Sequence, residues 1–79
     1  MDKDDQEHKK FLEEQLEWCE KQDSILEEID IRLNKMKRIA EYARDHELTS
    51  KEVDKLNDKL NELKNEIHSL EKQLHSIVH

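Results

Sequence analysis

Three histidines and a glutamate near the carboxyl end hold the one spacing in this chain that suits metal ligation. Glu71, His75 and His79 are four residues apart in turn, and His68 stands seven before His75. On a helix they share one side, where imidazole nitrogen and carboxylate oxygen can chelate zinc or nickel. The last turns of a helix fray, so solvated surface is the expectation here and ligation by His75 and His79 the alternative. Cys19 is the single cysteine. It falls on an apolar repeat position, which favours a small buried hydrophobe over a reactive thiol. No nucleophile is grouped with a base. The chain has no glycine, hence no glycine-rich phosphate loop. Neither catalysis, a cofactor nor a small-molecule substrate is expected.

The elements that carry these residues are helices. No glycine or proline interrupts the 79 residues. Aspartates and a glutamate (Asp2, Asp4, Asp5, Glu7) crowd the amino-terminal end, where negative charge suits a helix dipole. Residues 1–8 are polar enough to fray, so the first helix is expected over 9–45. Its apolar residues fall into heptads. Leu12, Cys19, Leu26, Leu33 and Ala40 form one position of the expected seam. Gln15, Gln22, Ile29, Met36 and Ala43 form the other.

The stretch "ELTSKEVDKL", residues 47–56, marks a break. Thr49 is an N-cap residue and Glu52 lies three later, the pattern of a capping box. Leu48 and Val53 bracket the cap at the spacing of a hydrophobic staple. The turn is therefore expected at 46–49 and the second helix over 50–79. In that helix Val53, Leu56, Leu60, Leu63, Ile67, Leu70, Leu74 and Ile77 step by threes and fours, a two-position seam.

Two arguments fold the second helix back on the first. A parallel homodimer of the second helix would face Lys59 with Lys64 and Glu66 with Glu71, like on like. An antiparallel match about residue 48 instead gives every seam residue of the second helix a partner in the first, such as Met36 with Leu60 and Ile29 with Ile67. The expected fold is all-α: an antiparallel two-helix coiled-coil hairpin in one domain.

The first helix has apolar surface to spare. Phe11, Trp18, Ile25 and Ile39 recur at sevens beside the expected seam, with Arg32 in the remaining place, and Leu16 adds to the amino-terminal half. A three-position face belongs to a helix with two neighbours. A lone hairpin of this size has a thin core. Phe11, Trp18, Ile25, Arg32 and Ile39 are thus the expected interface of a homodimer, a four-helix bundle, with a heterologous helical partner as the alternative. Arg32 would set orientation against an acidic residue or extend its charge to water.

Composition bounds the partners. Charged residues are 44% of the chain, hydrophobic residues 33%, and the net charge is −7. Such proportions suit long helices. Nucleic-acid phosphates would be repelled, whereas a basic protein partner is compatible. No apolar run approaches the ~20 residues of a membrane span. With neither a leader nor paired cysteines, the expected location is cytoplasmic.

Residues 25–70 resemble the amino-terminal helical hairpin of bacterial flagellins. The matching stretches are "LEEIDIRLNKMKRIA" (26–40) and "LNDKLNELKNEI" (56–67), which lie on the outgoing and returning helices. The resemblance implies a helical hairpin of bacterial type that assembles with others like it. It does not extend to the apolar terminal segments or the glycine- and asparagine-rich turn of that family. The expected function is accordingly a non-catalytic interaction module: an adaptor, regulator or structural element. A flagellin-like assembly unit and a metal-binding helical module are the alternatives.

Overall fold

The computed structural model describes residues 3–77, with the side chain of Ile77 outside that description. Two helices make up all of it except residues 46–49: α1 spans Lys3–Asp45 and α2 spans Ser50–Ile77. They pack side by side as a hairpin 70 × 19 × 12 Å in extent. α1 begins at Lys3, earlier than the expected residue 9, with Asp4 and Asp5 in its first turn opposing the helix dipole. α1 has 43 residues and α2 28, a difference of about 22 Å at 1.5 Å per residue, so the amino-terminal turns of α1 overhang the described end of α2.

The turn is built without a left-handed residue, since no described residue has positive φ. Local side chains end α1 instead. The His46 ring stacks on Tyr42 at 4.1 Å, and its Nδ1 lies 2.9 Å from the Tyr42 carbonyl oxygen. In the tautomer with the proton on Nδ1, the histidine satisfies a carbonyl that the helix end leaves without a partner. Two residues after the break the chain restarts. The Glu52 amide donates to Thr49 Oγ1 at 3.2 Å, and the Val53 amide donates to the Thr49 carbonyl at 3.0 Å. The Thr49 hydroxyl in turn donates to Glu52 Oε1 at 3.1 Å. The cap is the expected one, with one difference: the glutamate returns to the threonine hydroxyl. Leu48 is half-buried and Val53 exposed.

The core is thin. Leu63 is the only fully buried residue described, at 1% exposure. Leu56, Leu60, Ile67, Leu70 and Leu74 flank it half-buried, so the expected face of α2 is the one that packs. On α1 the half-buried residues are Trp18, Gln22, Ile25, Ile29, Arg32, Met36 and Ile39. They also step by fours and threes, but they are not the expected set. Gln22, Ile29 and Met36 keep their place in the seam. Trp18, Ile25, Arg32 and Ile39 replace Cys19, Leu26, Leu33 and Ala40, all of which are exposed, as is Leu12. α1 is thus turned about its own axis by roughly 50°, half of the 100° step between residues.

The physical reason is volume. A tryptophan, two isoleucines and the methylenes of an arginine cover more apolar surface than a cysteine, an alanine and two leucines, and burial stabilises in proportion to area. Arg32 also finds an acidic partner on α2 in this orientation. Among the described residues, no helix is long and apolar enough to cross a membrane.

Candidate interaction surface

Turning α1 changes which of its residues are free. Trp18, Ile25, Arg32 and Ile39, expected against another chain, lie half-buried in the hairpin against α2. Phe11 remains exposed on the overhang. The free stripe is instead Leu12, Cys19, Leu26, Leu33 and Ala40, one residue per two turns along α1. Its leucines stay open to solvent: Leu12 53%, Leu26 44% and Leu33 51%. Leu16 lies one turn after Leu12, between it and Cys19, and widens the amino-terminal part of the patch, also exposed. Cys19, read from the sequence as buried, is exposed. Leu12 to Leu33 spans about 32 Å at 1.5 Å per residue. Scattered surface leucines are ordinary, but a contiguous helical stripe is not.

Arg32 sits in the packed face, in the row of Trp18, Ile25 and Ile39. Its Nη1 donates to the Glu28 carboxylate at 2.6 Å and to the Glu28 carbonyl at 2.9 Å, one turn back. Its Nε lies 3.4 Å from Glu66 Oε2 on α2, close enough for charge attraction but outside hydrogen-bond geometry. The Glu28 hydrogen bond, and after it the Glu66 charge, raises the guanidinium pKa above its ordinary value against the opposing effect of burial. The arginine is therefore charged in the fold at any working pH. The side chain is 23% exposed and its Nε is buried, so the guanidinium bridges the two helices instead of extending fully to water. The acidic partner expected on another chain is thus met within the hairpin.

Two further surface features lie at opposite ends. Near the turn, Ile39 and Leu56 floor an open groove edged by Arg38, Tyr42, Glu52 and Lys55. Its apolar floor belongs to the seam. Toward the carboxyl end, His68, Glu71, Lys72 and His75 line a shallow polar patch. His68 Nδ1 is 3.5 Å from Glu71 Oε2. No group of three or more histidine, cysteine or acidic residues is arranged to hold a metal ion among the described residues. His79 lies outside them.

Sequence reasoning identified three apolar positions on α1 but assigned the wrong pair to the hairpin. A signal was present in side-chain size: the position holding tryptophan and isoleucine outweighs the one holding cysteine and alanine. Comparison with protein-family models, curated proteins and solved structures gave no match to this chain.

Proposed function

We propose that this chain is a non-catalytic interaction module, a coiled-coil hairpin that self-associates through α1 into a four-helix bundle. The observation that supports it is the exposed stripe of Leu12, Leu26 and Leu33 on a helix whose other two apolar positions already pack on α2. A hairpin with one fully buried residue among those described has little core of its own. Each large apolar side chain transferred from water contributes about 1.5–3 kcal/mol, so joining two stripes adds what the single hairpin lacks. Hairpins that associate through one helix and leave the other outward suit an adaptor or structural role.

Sedimentation equilibrium tests this. The wild type should sediment as a dimer at tens of micromolar. Leu26→Lys with Leu33→Lys should sediment as a monomer that keeps its helicity, because neither leucine is in the hairpin seam. A wild-type chain that is monomeric and fully helical at those concentrations overturns the proposal.

A further inference from the structure

We infer that the second copy lies antiparallel on α1, with the two-fold axis beside Leu33. This inference rests on the self-association proposed above and adds its geometry. It is carried by the charges along the outer edge of the leucine stripe. Four residues after Cys19, Leu26, Leu33 and Ala40 stand Asp23, Asp30, Lys37 and Arg44 in turn, all exposed. The edge is acidic before Leu33 and basic after it. Turned about Leu33, a second copy would bring Lys37 opposite Asp30 and Arg44 opposite Asp23, and symmetry would repeat both matches. Leu33 would meet Leu33 of the second copy, and Leu26 would meet Ala40, a large residue against a small one.

Two competing arrangements lack this complementarity. In a parallel pair the two copies of this edge lie on opposite sides of the contact, so none of the four residues meets a complementary one. An antiparallel pair about Cys19 would cover Leu12 and Leu16, but it gathers the acidic residues Glu13, Glu20 and Glu27 of both copies. Like charges facing across a contact disfavour that mode; about Leu33 the same row holds only Glu27 opposite Glu41, against the complementary matches of Asp30 with Lys37 and Asp23 with Arg44 on the nearer edge. Arg44 retains an ion pair with its neighbour Asp45 at 2.9 Å. That pair is exposed, so exchange to Asp23 of a second copy costs little.

The experiment separates geometry from association. In the full chain with Cys19→Ser, Leu33→Cys should oxidise to an interchain disulfide much faster than the wild-type Cys19 chain does. Asp23→Lys with Asp30→Lys should weaken the dimer on the order of tenfold by sedimentation, the sum of several exposed like-charge contacts. Adding Lys37→Asp and Arg44→Asp should restore it, since the edge is then reversed but still complementary. All four sites are exposed, and circular dichroism should show unchanged helix. Rapid disulfide formation through wild-type Cys19, or no restoration in the fourfold variant, overturns the geometry while leaving self-association standing. A wild type that stays monomeric overturns both.

Discussion

Arg32 Nε on α1 lies 3.4 Å from Glu66 Oε2 on α2, the one ion pair among the described residues that joins the two helices. It occupies a seam position that apolar residues hold elsewhere on α1. Such a pair costs desolvation and repays it only partly, so its net stabilisation is small. Its effect is on register: a continuous apolar seam tolerates a slip of one heptad, whereas a single charged layer does not. Arg32→Leu is therefore expected to raise the melting temperature and to loosen the register. Thermal melts and cysteine trapping at slipped pairs would show both. A melting temperature lowered by several degrees would instead make the pair a net stabiliser.

The cap gives a second expectation. Thr49→Ala removes the oxygen that accepts from the Glu52 amide and should cost about 0.5–2 kcal/mol. For a chain of this size each kcal/mol lowers the melting temperature by roughly 4–8 °C. Thr49→Ser should retain most of the stability. Helix content by circular dichroism at low temperature should change little in either variant. An unaltered melting temperature in Thr49→Ala would mean that α2 does not depend on this cap.

Leu63 supplies a third. Its truncation to alanine removes the one fully buried side chain among the described residues, and such losses run to about 2–5 kcal/mol. Leu12→Ala, on the exposed overhang and beyond a contact centred on Leu33, should stay within about 0.5 kcal/mol. Urea titration of the two variants measures the contrast. Equal losses would place Leu12 in a core that the hairpin does not show.

The orientation of α1 is tested by a pair of charge substitutions. Trp18→Glu with Ile25→Lys puts charges into the hairpin seam and should collapse helicity at every concentration. Glutamate at Leu26 alone, on the free stripe, should leave the helicity of a dilute sample intact. The reverse pattern would restore the orientation expected from sequence, with Leu26 inward.

Register is open to direct trapping. With Cys19 replaced by serine, Met36→Cys and Leu60→Cys should form a disulfide within one chain under dilute oxidising conditions. Both native residues are half-buried on facing helices, and Ile39 and Leu56 share a groove at the neighbouring level. Exclusively interchain products would indicate extended helices that pair between molecules.

Much of this architecture is local and so was legible in the sequence. Thr49 and Glu52 start α2 because a hydroxyl three residues before an amide can satisfy it whatever the rest of the chain does. The seam of α2 was legible because that helix has only two apolar positions, leaving one way to bury them. The end of α1 was less so. It rests on the Tyr42–His46 contact, whose stacking depends on ring orientation that spacing alone does not fix. The rotation of α1 was decided only by tertiary structure. Three adjacent apolar positions offer two seams that share Ile29 and Met36, and periodicity fits both. What separates them is how much surface Trp18, Ile25 and Ile39 bury against α2 and that Arg32 can reach Glu66 there. Both are properties of two helices in contact, and neither exists in α1 alone.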